Sequence, residues 1–293
     1  MPNRMPQGVT VRTNATQWVR LDDVCDDHVD RSTAFVRDAM QRCSHNSVLI
    51  LGVGAGRELP LTEIAETFDR VVLVDINREE LDQAHAAVQA VNTNCEALSV
   101  DLTGLSESIE LVIGQVLDAA GDPGSGADLV AAITESLAPT PWDYQDQFDL
   151  VIASCVLSQL HVHLSDMILQ MFQHRFPGYE PVLLDYERYQ AALYQLARLT
   201  ESQFMEHVNQ LIAPGGRMFL SATMFVSFIH QTDQGLMTEG YFSMLKSREL
   251  KDYVDDTMTV ERSGNWHWVV NQPINAGDAG RLYGVQGLLL TKA

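Results

Sequence analysis

Three short groups of residues have the types and spacing that chemistry would use. Gly52-Val53-Gly54-Ala55-Gly56 follows the aliphatic run Ser47–Leu51 (SVLIL). Glycines so placed permit a tight turn and let a ligand approach the main-chain N–H groups. Asp75 follows the run Arg70–Val74 (RVVLV), where a carboxylate can accept hydrogen bonds from ribose hydroxyls. Asp101-Leu102 follows Ala97–Val100. That acid can accept from an adenine amino group while Leu102 donates its backbone N–H. A lone G-x-G marks only a turn, and a lone terminal aspartate only a solvated strand end. The first turn does not require an acid after the second run, so the conjunction points to one elongated nucleoside.

These groups need elements that bring them to one edge. Asp27–Cys43 reads as a helix with Val29, Phe35, Val36 and Met40 at helical spacing. Strands at Ser47–Leu51, Arg70–Val74 and Ala97–Val100 alternate with helices at Leu61–Phe68 and Arg78–Val91. Ser106–Leu137 is expected to form two helices broken at Gly121–Gly126, and Phe148–Ser154 a fourth strand. Helices follow at Leu157–Phe172 and about Tyr186–Ile212, then the stop Ala213-Pro214-Gly215-Gly216 and a fifth strand at Met218–Ala222. A helix near Phe242–Tyr253 and strands at Trp266–Asn271 and Leu282–Thr291, joined by the Pro273–Gly280 loop, complete the series. Continuous apolar strands between helices imply a parallel sheet covered on both faces. The last two strands, without a crossover helix, imply an antiparallel hairpin. The expectation is therefore an α/β fold: a mostly parallel seven-stranded sheet, helices on both faces, and a C-terminal antiparallel hairpin. Residues 1–46 would be an arm and helical cap, and 47–293 one ligand-binding domain with a helical insert at about 165–195.

Dinucleotide sites of the G-x-G-x-x-G type would place a third glycine at position 57, which is Arg57. The pattern G-x-G-x-G with an acid about 20 residues on instead resembles class I S-adenosylmethionine-dependent methyltransferases. Phe148-Asp149-Leu150-Val151-Ile152 resembles that superfamily's fourth strand, and Leu211-Ile212-Ala213-Pro214-Gly215-Gly216-Arg217 its turn into the fifth. The terminal hairpin resembles the one carrying its reversed seventh strand. The resemblance runs from about Ser47 to Lys292. It implies a Rossmann-like fold and S-adenosylmethionine as cofactor, contacted by Gly52, Gly54, Gly56, Asp75, Ile76, Asp101 and Leu102. It also implies that Ser154 and Cys155, after the fourth strand, border the sulfonium and the acceptor. One position departs from the pattern. Members often carry an acid two residues before the first glycine, and here that residue is Ile50. Glu58 or Arg57 could substitute, or Glu58 could be a solvated residue at a helix start.

The segment Val151–His163 (VIASCVLSQLHVH) offers further polar groups. Ser158, Gln159, His161 and His163 would project from the first turns after the strand. On a helix His161 and His163 diverge by about 200°, so at most one faces a site. His161 is nearer the strand end and is the candidate base, with a surface or supporting histidine as the other reading. His-x-His is not metal spacing on a helix, and Cys25, Cys43, Cys95 and Cys155 form no C-x-x-C pair. No metal is expected. Strand alternation puts Trp266 and Trp268 on one face and His267 on the other, with the tryptophans expected in the core. Tyr179, Tyr186, Tyr189 and Tyr194 are expected to pack.

Composition sets the outer limits. The chain has 293 residues, 46% of them hydrophobic, which suffices for a substantial core. Its formal charge is −20, and its lysines are Lys246, Lys251 and Lys292 only. Without a basic run, the long-range field would repel a nucleic acid. No stretch reaches the roughly 20 apolar residues that a membrane span needs. The first 20 residues are polar and contain three arginines, unlike a secretory signal, so a cytoplasmic location is expected. The expected activity is methyl transfer from S-adenosylmethionine to a small-molecule N, O or S nucleophile. A protein methyltransferase and a non-methylating S-adenosylmethionine-binding sensor or accessory protein are the alternatives, and the oligomeric state is open.

Overall fold

The computed structural model describes residues 27–105, 108–121, 126–140, 142, 144–178, 186–232, 235–245, 249–270 and 279–293. Its centre is one sheet, built from strands β1 (Ser47–Leu51), β2 (Arg70–Asp75), β3 (Cys95–Ser99), β4 (Phe148–Ser154), β5 (Ile212–Thr232), β6 (Gly235–Ser243), β7 (Met258–Val270) and β8 (Ala279–Lys292). Seven run in the order β3-β2-β1-β4-β5-β8-β7, and β6 pairs with β5 off that path. The pairs among β1 to β5 are parallel, whereas β5–β6, β5–β8 and β7–β8 are antiparallel. The expected parallel sheet and terminal hairpin are both present.

The apolar strands bury residues on two faces, as their continuous hydrophobicity requires. Val48 and Ile50 of β1, Val71 and Leu73 of β2, and Leu150 and Ile152 of β4 face helices α1 (His28–Met40), α2 (Leu61–Thr67) and α3 (Arg78–Gln89). Leu49, Leu51, Val72, Val74, Val151 and Ala153 pack on the other side against the C-terminal half of helix α7 (Tyr186–Leu211). A third cluster joins α4 (Ile109–Ala120), α5 (Gly126–Ser136), α6 (Leu160–Arg175) and the first half of α7 through Ile113, Val130, Ile168, Phe172, Tyr189 and Leu196. Tyr189 thus packs as expected, whereas Tyr179 and the side chain of Tyr186 lie outside the described residues.

At the end of the sheet where β1 begins, Asp149 pins the start of β1 to β4. Its Oδ2 accepts from the backbone N–H groups of Asn46 and Ser47 and from Asn46 Nδ2, at 2.9–3.0 Å. The Ala213-Pro214-Gly215-Gly216 turn is absorbed as a register shift between β4 and β5, where Phe148 pairs with Ile212 but Leu150 with Arg217. A side chain at Gly216 would meet the carbonyl oxygens of Ala213 and Phe148 at 2.8 and 3.0 Å, which explains the second glycine.

Three expectations are corrected. No helix spans Phe242–Tyr253: Gly235–Ser243 is β6, and a 3-10 turn at Leu250–Tyr253 is the helical part that is described. The fifth strand does not end at Ala222 but runs to Thr232. Thr223–Thr232 has no apolar run of the β1 type, and long antiparallel ladders stabilise it instead. On one edge β5 pairs with β8 from Arg217 to His230. On the other it pairs with β4 up to Ser221, then with β6 from Phe225 onward. β7 is likewise longer than expected and starts at Met258. The upper part of β5, with Trp266–Val270 of β7 and the β8 residues paired to them, stands above the carboxyl end of β4 and forms a wall beside it.

Candidate functional site

The carboxyl ends of β3, β2, β1 and β4 open into one cavity of about 590 Å³. Its lining follows the strand order. Asp101, Leu102 and Thr103 come after β3, Asp75 and Ile76 from the end of β2, Gly52 to Glu58 after β1, and Ser154, Cys155 and Val156 from the end of β4. Beyond them lie Tyr283 of β8 and Trp268 and Val270 of β7. All nine residues expected at a cofactor therefore line a single space.

Asp75 organises its centre. The residue is buried, its Oδ2 accepts from Gly54 N–H at 2.7 Å, and its Oδ1 accepts from Asn77 N–H at 2.8 Å. The carboxylate thus ties the glycine turn to the start of α3, whose first turn is capped by Asn77 Oδ1 accepting from the N–H groups of Glu79 and Glu80. A carboxylate offers about four lone-pair positions, so acceptor capacity remains toward the cavity. Gly54 has a φ of +52°, and a Cβ there would project toward Glu80 Oε2 at 3.5 Å. At the β3 end, Asp101 accepts from Thr103 N–H and Oγ1 and from Leu105 N–H, which fixes the turn carrying Leu102. Ile76 is 55% exposed and supplies an apolar surface between the two acids.

After β4 the chain makes a strained turn. Cys155 has a φ of +56°, a region that costs a non-glycine residue on the order of 1–3 kcal/mol. Hydrogen bonds hold it there. Cys155 N–H donates to Ser221 O and Oγ, Ser158 Oγ donates to Cys155 O, and Thr223 N–H donates to Ser158 Oγ. Ser158 is therefore a brace for this turn, and Gln159 is the residue of that helical turn that lines the cavity. Burial pushes the Cys155 thiol up to about 12, with the Glu58 charge adding to the rise and hydrogen bonds to Ser221, Thr223 and Ser154 opposing it. Burial likewise raises Cys43 and Cys95 to about 11. Thiol reactivity resides in the thiolate, so all three stay protonated and slow below pH 10. In a Cys25→Ser background, a disulfide reagent at pH 8 is expected to leave Cys43, Cys95 and Cys155 largely unmodified until urea is added. Fast reaction of the native protein would show that one of these thiols is ionised.

His161 is not among the residues that line the cavity. Its Nδ1 lies 3.4 Å from Oε1 of Glu201 on α7, and Glu201 is fully buried and accepts from Tyr253 Oη at 2.7 Å. The helix turn that brings Gln159 to the cavity carries His161 toward α7, and the side chain of His163 lies outside the described residues. None of the described residues of the insert at about 165–195 lines the cavity: Ile168, Phe172 and Tyr189 pack on α4 and α5. The β7–β8 wall, through Trp268, Val270 and Tyr283, lines that side of the cavity.

That wall was the part missed. Both tryptophans face α1 as alternation required, but only Trp266 is covered by it, beside Phe35. Trp268 lies past the first turn of α1, stacked on His28 at 4.4 Å between centroids and tilted against Tyr283, its register partner, at 5.4 Å. His28 is fully buried, accepts from Trp266 Nε1 at Nδ1 (2.9 Å), and meets Glu58 Oε2 at 3.1 Å through Nε2. Ile50 is fully buried under α1, so the position of the missing acid gives the cavity no polar group. Glu80 was also missed, since a first-turn glutamate reads as a solvated helix start.

No family model and no curated protein matches the chain. Solved structures do. The N-methyltransferase NodS from Bradyrhizobium japonicum WM9, in complex with S-adenosyl-l-homocysteine, aligns with a TM-score of 0.45 at 10% identity over 93% of this chain and 90% of that one. TehB from Haemophilus influenzae aligns at 0.45 and 15% identity, covering 89% of this chain and 62% of that one. An S-adenosylmethionine-dependent methyltransferase from Clostridium acetobutylicum ATCC 824 aligns at 0.42 and 11% identity, over 92% and 93% of the two chains. Each is similar to this chain in backbone outline.

Proposed function

We propose that the protein is an S-adenosylmethionine-dependent methyltransferase acting on a small molecule. The observation that carries this reading is the lining order of the cavity. An acid and an apolar turn after β3, a buried acid at β2, a glycine turn after β1 and a strained turn after β4 fit adenine, ribose, methionyl chain and sulfonium in sequence. Asp75 would hold the ribose hydroxyls, Asp101 and Leu102 the adenine edge, and Gly52, Gly54 and Gly56 the methionyl backbone, with Ile76 under the base and Ser154 and Cys155 near the methyl group. The bound cofactor supplies a methyl group already activated by the positive sulfur.

The chain's own contribution is alignment, which in well-oriented reactions is worth several kcal/mol. Cys155, held as a neutral thiol, is a wall and not a nucleophile, which agrees with direct transfer and no covalent enzyme intermediate. His161 turns toward Glu201, so the reading assigns it to packing between α6 and α7 and not to proton transfer. Space for the acceptor lies at the β7–β8 end, beside Trp268, Val270 and Tyr283. Among the described residues no helix is long and apolar enough to cross a membrane, and the unpaired Cys43, Cys95 and Cys155 support a reducing, cytoplasmic setting.

Calorimetric titration tests the reading. S-adenosylmethionine and S-adenosylhomocysteine are expected to bind and NAD is not. Absence of adenosyl binding would overturn the assignment, and binding without transfer of a labelled methyl group to any acceptor would leave a sensor.

A further inference from the structure

The far end of the cavity has a chemistry that the cofactor reading does not use. The cavity as a whole is lined by four carboxylates, Glu58, Asp75, Glu80 and Asp101, against one guanidinium, Arg57. Asp75 and Asp101 are engaged by backbone N–H groups of their own turns. Glu58 is placed differently. Trp266 Nε1 can only donate, so His28 Nδ1 must accept and the ring proton sits on Nε2, from which it is donated to Glu58. His28 is thus a neutral imidazole with both nitrogens committed, and it fixes the carboxylate without neutralising it. Among the described residues this is the side-chain bond that Glu58 makes, and its side chain remains 31% exposed. Trp268, with one face stacked on His28, and Tyr283 line the same cavity, and an open aromatic face attracts cations.

We propose that this end binds the ammonium group of a small amine and that this amine is the methyl acceptor. The proposal rests on the methyltransferase reading for the word acceptor, but the cation site itself rests on Glu58, Trp268 and Tyr283 alone. Trp268 and Tyr283 lie beyond Cys155 in the lining, past the strand end where transfer would occur, and Glu58 comes to them from the turn after β1, held by His28, which stacks on Trp268. To accept a methyl group the nitrogen must first give up one proton, and the Glu58 carboxylate is the acceptor at hand. The new nitrogen–carbon bond then replaces the carbon–sulfur bond, whose electron pair stays on sulfur.

The probe is choline against 3,3-dimethylbutan-1-ol, its neutral isostere with carbon in place of nitrogen, titrated calorimetrically with S-adenosylhomocysteine present. Choline has no proton to lose, so the readout is binding and not turnover. Choline is expected to bind about 10-fold or more tightly than the neutral isostere. Glu58→Gln, whose amide oxygen can still accept from His28, should remove most of that preference while S-adenosylhomocysteine affinity stays within about threefold. Trp268→Leu should reduce the preference too. Because Trp268 also supports His28, Tyr283→Leu serves as the second aromatic variant. Equal binding of the two probes would overturn the proposal. So would a Glu58→Gln variant that loses S-adenosylhomocysteine but keeps the choline preference, because Glu58 would then hold the cofactor's own ammonium. A wild type that prefers choline but binds no adenosyl compound would uphold the cation site and overturn the methyltransferase reading.

Discussion

Asp75→Ala is expected to weaken S-adenosylhomocysteine binding by on the order of 100-fold. Two losses combine. The variant gives up the charge-assisted hydrogen bonds to a ribose, each worth roughly 1.5–3 kcal/mol, and about 1.4 kcal/mol corresponds to a factor of ten. It also frees the N–H groups of Gly54 and Asn77 from the carboxylate that tethers them at 2.7 and 2.8 Å, so the glycine turn loses its fixed approach to the ligand. Asp75→Asn does not rescue this, because one of the two backbone N–H groups then faces the amide nitrogen. Asp149 is the control. It too joins main-chain N–H groups, but at the opposite end of the strands. Asp149→Ala should lower the melting temperature and leave the Kd of the folded protein unchanged. Comparable loss of affinity in both variants would mean that Asp75 acts on the fold alone.

What the sequence showed and what it hid follow from the range of the forces involved. β1, β2 and β4 were legible because burial on two faces demands an unbroken apolar run, and their C-terminal residues then identified Asp75 and the glycine turn. The Ala213–Gly216 turn marked the end of the long helix by local chemistry. β6 and the upper part of β5 were not legible. Their stability comes from ladders with partners that register alone determines, such as Phe225 with Ser243 and with Gly284. The same applies to the β7–β8 end of the cavity. Nothing local distinguishes Trp268 from Trp266; the difference is that Trp266 packs beside Phe35 in the core whereas Trp268 stacks on His28 at the start of α1 and borders the cavity. His161 illustrates the limit of helical phase. The turn Leu157–Gln159 is 3-10 before α6 begins, which shifts the rotation by which a base would be aimed.

Gly52→Ala is expected to cost stability and affinity together, because this position couples the glycine turn to the turn after β4. Its φ is +63°, and a Cβ would meet Val156 Cγ2 at 2.7 Å and Cβ at 2.9 Å. Val156 is branched at Cβ and follows the braced Cys155, so it cannot yield by a rotamer change alone. A left-handed conformation costs an L-residue about 1–2 kcal/mol, and overpacking adds about 1–3 kcal/mol. At roughly 2–4 °C per kcal/mol for a domain of this size class, the melting temperature should fall by about 10 °C. Gly121 separates the two contributions. Its φ is +71° with ψ −41°, but a Cβ there meets nothing within 4 Å, so Gly121→Ala should show a conformational cost without a clash. Binding provides the second reading. In Gly52→Ala the displaced Val156 moves the Cys155 turn that borders the proposed methyl position, so S-adenosylmethionine affinity should fall about 10-fold or more, whereas Gly121→Ala should bind as the wild type does. Equal melting temperatures for the two variants would show that the β1 and β4 turns are not packed against each other as described. A normal affinity in a destabilised Gly52→Ala would separate the turn after β4 from cofactor binding.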